Sequence, residues 1–434
     1  MFLNDKFKFN ERNTTLSTEI LAGITTFVSM SYIIIVNPSV LNKTGMDFHG
    51  VFVATILASI VGTLIMGLIA NYPIAIAPGM GMNAYFAFVI VLGMGIPWQS
   101  ALGSVFIASV IFLLLSLTGF RQSLIEAIPI SLKAGISGGI GLFIAFIGMQ
   151  NAHLVVASPA TIITLGNFSE PVAYMSILGL IVTIILLVND VPAAIFLGML
   201  ITAIVSFCLG YIPLPHSILS LPTGLDATFM HLDIAGAFSP NLFAIIFTFF
   251  LVTLFDTTGT MIGVASQAGL MKNGHFPNVK SALLADAVAS TIGSIFGTSP
   301  TSSYVESGTG VAAGGRTGFT AVVVAFLFFC MLFFAPVAQV LASAPAITSP
   351  ALIIVGFLMM GNLNQVNWTD IEESLPAFFV LFWMPLSYSI TNGVGAGLIL
   401  YPLIKIFRGK YRQVHPLLYV FLVLFVIQFI MMNH

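Results

Sequence analysis

Charge is what this sequence has least of. Only 6% of its 434 residues are Asp, Glu, Lys or Arg, against roughly a quarter in an average soluble domain, which excludes an apolar core wrapped in a charged surface. With 13 basic and 15 acidic residues there is neither a positive field for nucleic acid nor an acidic tail, so no nucleic-acid partner is expected. Cysteine is nearly absent: Cys208 and Cys330 each stand alone in apolar runs, leaving no disulfide framework and no metal-ligand spacing. There is no G-x-x-x-x-G-K-[ST] phosphate loop and no H-E-x-x-H zinc pair, so neither ATP-driven work nor an intramembrane metalloenzyme is expected, and no cofactor is called for. The first nineteen residues lack the apolar core of a signal peptide and carry Lys6, Lys8 and Arg12, which points to a cytoplasmic amino terminus.

What the sequence has is apolar surface: 58% hydrophobic residues, 39 of them Phe. The partner is the lipid bilayer, and the expected class is an all-α polytopic protein of the cytoplasmic membrane. Runs of about 20 apolar residues, cut at charges, Pro and Gly clusters, mark fourteen segments. In the first half they are 20–37, 50–70, 75–91, 100–119, 134–149, 172–188 and 191–211; in the second, 241–265, 281–297, 301–315, 317–335, 348–361, 375–391 and 393–407. With the amino terminus inside, this count puts Arg121, Lys133, Lys272, Lys280, Arg316, Lys405, Arg408, Lys410 and Arg412 on the cytoplasmic side with Lys6, Lys8 and Arg12, and only Lys43 outside, as the positive-inside rule requires. A further apolar run, 417–432, either spans or lies at the interface.

The polar stretch 212–240 divides the segments seven and seven. Seven is odd, so two consecutive units insert with opposite orientation, the inverted-repeat layout of many secondary transporters. The third segment of each half is interrupted: 73–88 carries Pro73, Pro78, Gly79 and Gly81, and 297–315 carries Pro300 and five glycines. Matched broken segments point to a substrate site near the midplane, where half-helix ends offer backbone N–H and C=O groups to a polar solute; packing and kinking are the plainer uses of the same residues.

Asp256, Asp286 and Glu306 fall within segments, whereas Asp190 falls at a junction, where capping is the simpler role. A carboxylate at the bilayer centre costs at least about 2.5 kcal/mol, so it is paired, protonated or facing a polar cavity. Asp256, beside Thr257, and Glu306, in Tyr304-Val305-Glu306-Ser307, are the candidates for binding and releasing a proton. His49, His216, His231, His275, His415 and His434 suit surface positions, and His153 an interfacial one. Trp98 and Trp368 suit interfacial anchoring, while Phe27, Tyr85 and Phe86 lie where a ring could stack on a flat solute.

Four motifs carry a resemblance: NYPIAIAPGMGMNAYFAF, IPISLKAGISGGIGLFIAFIGMQN, LFDTTGTMIGVASQAGL and GTSPTSSYVESGTGVAAGGRTGFTAVV. Together they resemble the bacterial adenine, guanine and hypoxanthine permeases, the AzgA-like branch of the nucleobase-cation symporter 2 (nucleobase–ascorbate) family, from about Thr15 to the VHPLLYVFLVLF tail. The resemblance implies fourteen segments in two inverted seven-segment repeats, with short extended strands in broken segments 3 and 10. It implies a cytoplasmic segment 1–19, a core domain of 20–119 and 241–335, a gate domain of 120–211 and 336–407, an external loop 212–240 and a basic, then apolar, tail 408–434. It implies proton-coupled uptake of a purine base, guanine or hypoxanthine favoured and adenine the alternative, with homodimeric assembly left open. Substrate would lie between segments 3 and 10, hydrogen-bonded by the carboxylates of Asp256 and Glu306, with backbone groups near Val305 and Ser307 and around Asn83 and Ala84 completing the contacts; Asp286 supports the site, as do Thr257 and Thr309, and Phe27 is a further candidate contact. Asp256 stands where the uracil carriers use Glu, leaving about one methylene more room for a bicyclic base.

Overall fold

In lipid a segment must pair its own backbone polar groups, and helix formation does so. The computed structural model describes residues 2–117, 127–238, 240–271 and 277–431, and there the apolar runs are helical. The first half contains α1 (Phe2–Phe7), α2 (Leu16–Met30), α3 (Ile33–Asn42) and α4 (Phe48–Ile65), which continues as a π-helical turn, Met66–Ala70. Next come β1 (Ile76–Pro78), α5 (Met80–Ala84) with a π-helical extension Tyr85–Gly93, α6 (Trp98–Leu117) and α7 (Ile130–Asn151). A hairpin, β2 (Val155–Ser158) and β3 (Ile162–Leu165), precedes α8 (Pro171–Val188), α9 (Ala194–Cys208) and the short α10 (Ile234–Ala237). The second half contains α11 (Pro240–Gln267), α12 (Val279–Phe296), β4 (Thr301–Ser303), α13 (Ser307–Ala312), α14 (Gly318–Met331) and α15 (Ala335–Ser343). It closes with α16 (Pro345–Met360), α17 (Ile371–Ser387), α18 (Ile390–Phe407) and α19 (Pro416–Met431).

Ten helical stretches among the described residues are long and apolar enough to cross a membrane. The other four expected segments have helices too short to count: the third and tenth are broken, α9 has 15 residues, and α17 has 17, with Pro376 and Pro385 inside it. The largest extensions beyond the expected boundaries are in two segments. The first segment runs on to Asn42 and is broken after Met30, and the eleventh continues through α15 to Ser343. The β2–β3 hairpin, paired from Val155↔Leu165 to Ser158↔Ile162, was not anticipated; its β-branched runs on either side of a Pro-Ala-Thr turn are its signature. The apolar tail α19 packs along the bundle, with Phe421 5.3 Å from Phe247 of α11. Arg121, Lys272, His275 and His434 lie outside the described residues.

Packing falls into two groups. Helices α2, α4 and α14 pack together, as do α4, α6 and α12, while α7 packs with α16, α17 and α18, and α8 with α9 and α16.

The broken segments meet at the centre of the first group. Gly297, at φ +101, ends α12 in a conformation that favours glycine, and a Cβ there would lie 2.4 Å from that of Thr228. Past it, β4 runs antiparallel to β1 with Ile76↔Ser303, Ala77↔Ser302 and Pro78↔Thr301 in register. The ladder is extended by Gly79 N–H donating to Pro300 C=O at 2.9 Å and Tyr304 N–H to Ala75 C=O at 3.0 Å. Each strand is also bracketed by one hydroxyl from the helix before it. Thr63 of α4 accepts from the Ile76 N–H and donates to the Ile76 C=O, both at 3.0 Å. Ser290 of α12 accepts from the Thr301 N–H at 2.9 Å and donates to the Thr301 C=O at 3.3 Å.

Thr63→Val keeps the shape but leaves a buried N–H and C=O without their side-chain partner, at roughly 1–3 kcal/mol for each unsatisfied group. The unfolding temperature of the purified protein in detergent should fall; an unchanged value would show that the bracket contributes nothing.

Candidate substrate site

The strand pair ends in a cavity of about 790 Å³. Its polar wall is built by Tyr32, Met80, Asp256, Ser302 and Glu306, with Val305 projecting and 64% exposed. Glu306 sits at the amino-terminal end of α13. Its backbone C=O accepts from the Thr309 hydroxyl at 2.7 Å and the Thr309 N–H at 3.0 Å, and its Oε1 accepts from the Tyr32 hydroxyl at 2.6 Å. Asp256, in the middle of α11, lines the same cavity as Ser302. Neither acid forms an ion pair among the described residues.

Other acids in this chain are treated differently. Glu19 is fully buried and caps the start of α14, accepting from Arg316 N–H at 2.9 Å and from the hydroxyls of Thr317 at 2.8 Å and Thr320 at 2.6 Å. Glu372 accepts from Lys405 at 2.7 Å and Lys410 at 2.6 Å. Those acids are consumed by structure, whereas Asp256 and Glu306 reach a cavity and can receive a solute's N–H groups.

The remaining expected site residues divide between cavity and support. Thr309 lines the cavity, its hydroxyl 3.1 Å from that of Ser29. Ser307 turns away, and its hydroxyl accepts from the Ala75 N–H at 3.0 Å, tying α13 to the strand pair. Asp286 is fully buried and accepts from Thr257 at 2.6 Å and Thr301 at 3.1 Å. Asn83 and Ala84 are fully buried and do not line the cavity; Asn83 donates to Asn37 at 3.0 Å, and Asn37 donates on to Thr55 and Thr298. The backbone that borders the cavity from this segment is at Met80 and Gly81. Phe27 also lies off the lining, edge-on to Phe328 at 5.3 Å, and Phe86 is fully buried. Asp190 caps neither neighbouring helix, whose caps are Asn189 and Ala193; it is exposed and stands at the cavity mouth with Pro192 and Asn362.

Sequence reading missed Tyr32 and Ser302. Thr25, Ser29 and Tyr32 all line the cavity, and their i, i+4, i+7 spacing makes one polar stripe in an apolar helix, the signal that could have found them. A letter match to the nucleophile pattern G-x-S-x-G, at residues 135–139, is inert: it lies within α7, where a nucleophile elbow needs a strand-to-helix turn. Its Ser137 accepts from Asn362 at 2.8 Å.

On the side away from the mouth the two packing groups are joined. Tyr85 of the third segment hydrogen-bonds the Thr391 hydroxyl of α18. Lys43, after α3, donates to Asn151 at the end of α7 at 2.8 Å, its ammonium 5.3 Å from the Phe88 ring. The cavity is faced by two carboxylates that form no ion pair among the described residues, an arrangement that leaves both able to accept from a polar solute.

A family model described as Permease family matches residues 17–395. The chain belongs to this permease family. It is similar to the guanine/hypoxanthine permease PbuO of Bacillus subtilis, 51% identical over 97% of this chain and 99% of that protein. It is also similar to the adenine permease AdeP of Escherichia coli, 42% identical over 98% and 96%. Among solved structures, the transmembrane domain of a cyanobacterial bicarbonate transporter, BicA, matches with TM-score 0.64 at 14% identity, over 88% of this chain and 97% of that one. SLC26A9 matches with TM-score 0.65 at 11% identity, over 94% and 69%. The fold is therefore that of a multi-pass membrane transporter, and this permease is not an enzyme.

Asp286→Ala in the permease would take from the Thr257 hydroxyl its carboxylate partner and from the Thr301 hydroxyl one of its contacts, leaving Thr301 with Ser290 and the backbone C=O of residue 286. A loss of roughly 1–3 kcal/mol is expected, read as a lower unfolding temperature in detergent; an unaltered temperature would remove Asp286 from the support of β4.

Proposed function

We propose that the chain carries a purine nucleobase into the cell together with a proton, by alternating access across the cytoplasmic membrane. The observation that carries this reading is the pair Asp256 and Glu306, facing one cavity with no cation paired to either among the described residues; two acceptor groups there suit a neutral solute with ring N–H donors. PbuO and AdeP, a guanine/hypoxanthine and an adenine permease at more than 40% identity, support the substrate class. Guanine or hypoxanthine is favoured, and adenine is the second reading, since both kinds of relative cover nearly the whole chain.

In this account the amino terminus is cytoplasmic and fourteen segments form two inverted seven-segment repeats. Thr63 and Ser290, one hydroxyl in the second segment of each half bracketing the strand of the third, support that internal correspondence. Segments one to four and eight to eleven (20–119 and 241–335) form a core, and 120–211 with 336–407 a gate, in keeping with the two packing groups. Counting segments from an inside amino terminus, the mouth at Asp190 and Asn362 is cytoplasmic and the Lys43–Asn151 contact external. The conformation is then inward-open, and the external closure favours a carrier over a passive pore.

The coupling ion is H⁺, taken up at Glu306 or Asp256, and no cofactor takes part. A proton crossing 100 mV supplies about 2.3 kcal/mol, which sustains roughly fiftyfold accumulation of a neutral base.

Uptake of radiolabelled hypoxanthine, guanine, adenine and uracil, in cells stripped of their own carriers, tests both parts. The purines should accumulate and uracil should not, a protonophore should abolish accumulation, and Glu306→Gln and Asp256→Asn should each lose most uptake at normal abundance. Accumulation that survives the protonophore would refute proton coupling, and normal transport by both variants would refute the site.

A further inference from the structure

Tyr32 spans a break in the chain to reach the substrate site. Its side chain is 1% exposed at the join between α2 and α3, where the first segment is interrupted. From there its hydroxyl donates to Oε1 of Glu306 at 2.6 Å. The main chain of Glu306 is already fixed, by Thr309 on its C=O and by Ser307 holding the start of α13 to Ala75. What Tyr32 adds is the orientation of the carboxylate and the occupation of one of its two oxygens.

That occupation matters for recognition. A carboxylate with both oxygens open accepts two parallel N–H bonds from one planar partner, and such bidentate pairs are the strong ones. With Oε1 engaged, Glu306 presents Oε2 as its open acceptor. Asp256 lines the same cavity and offers a second carboxylate acceptor. The chamber is therefore arranged for a base that brings a single N–H to each acid, such as the N1–H of a 6-oxopurine at one end and an imidazole-ring N–H at the other. A base with two adjacent donors on one edge, the N1–H and exocyclic amine of a 2-amino-6-oxopurine, meets one free oxygen and one already shared with Tyr32, so its second donor gains less.

We propose that Tyr32 is a specificity-determining residue, which by holding one oxygen of Glu306 biases the permease toward purines with a single edge donor, hypoxanthine over guanine. This rests on the purine reading of the site. The phenolic oxygen alone carries the effect, so Tyr32→Phe, which keeps the ring and its packing, is the variant that isolates it.

The experiment measures KM for hypoxanthine and guanine uptake in wild type and in Tyr32→Phe, and compares the ratio KM(guanine)/KM(hypoxanthine), which does not depend on protein abundance. Opening one charged acceptor should lower that ratio by roughly tenfold, the scale of one hydrogen bond to a charged group. An unchanged ratio with lower maximal rates for both bases would make Tyr32 a purely structural residue and overturn the proposal. Where Tyr32→Phe folds but does not transport, equilibrium binding of the two bases to the purified variant gives the same ratio and decides the matter in the same way. Uptake of neither purine by wild type would overturn the substrate reading, and the selectivity proposal with it, a result distinct from an unchanged ratio.

Discussion

The antiparallel pairing of β1 with β4 is the constraint on which the rest of the structure depends. An extended stretch inside a bilayer exposes backbone groups that lipid cannot satisfy, so two such stretches persist only if they pair with each other or with side chains. Here both happen: the ladder runs from Gly79–Pro300 to Tyr304–Ala75, and Thr63 and Ser290 complete it. The pairing also fixes where the helix after each strand begins. Segment three resumes as helix at Met80, and segment ten at Ser307, so two helix starts and Glu306 are delivered to the same wall of the cavity.

The second constraint is the cost of carboxylates away from water. Glu19 and Glu372 meet it through backbone N–H groups and ammonium ions. Asp286 meets it through hydroxyls of Thr257 and Thr301. Glu306 meets it only in part, through the Tyr32 hydroxyl and the cavity, and Asp256 faces the same cavity. That partial satisfaction leaves them open to a solute's N–H groups, and it separates two acids from the others by environment alone.

How much of this was legible in the sequence depends on the kind of signal involved. The segments were readable because apolar runs and the sidedness of Lys and Arg report membrane insertion directly, and the broken segments because Pro78, Gly79 and Pro300 interrupt them. Asp256 and Glu306 were readable because a charge within an apolar run is expensive. The β1–β4 register was not, since pairing across more than two hundred residues leaves no local trace. Backbone around Asn83 and Ala84 looked like part of the site by position in a broken segment, but both residues are fully buried and the cavity is bordered one turn earlier, at Met80 and Gly81, an offset that only packing reveals. Tyr32 escaped because it is an aromatic among 39 phenylalanines, and its hydroxyl acquires meaning only where the first segment bends toward Glu306.

The central claim is that a purine base occupies the cavity between the ends of the two broken segments. Val305, exposed on that wall and remote from packing, can report occupancy. In a background with Cys208 and Cys330 replaced by alanine, Val305→Cys should react with a small maleimide in inside-out vesicles, and saturating hypoxanthine should slow that reaction strongly. Labelling at the same rate with and without the base, in a variant that still transports it, would place the substrate elsewhere and contradict the account.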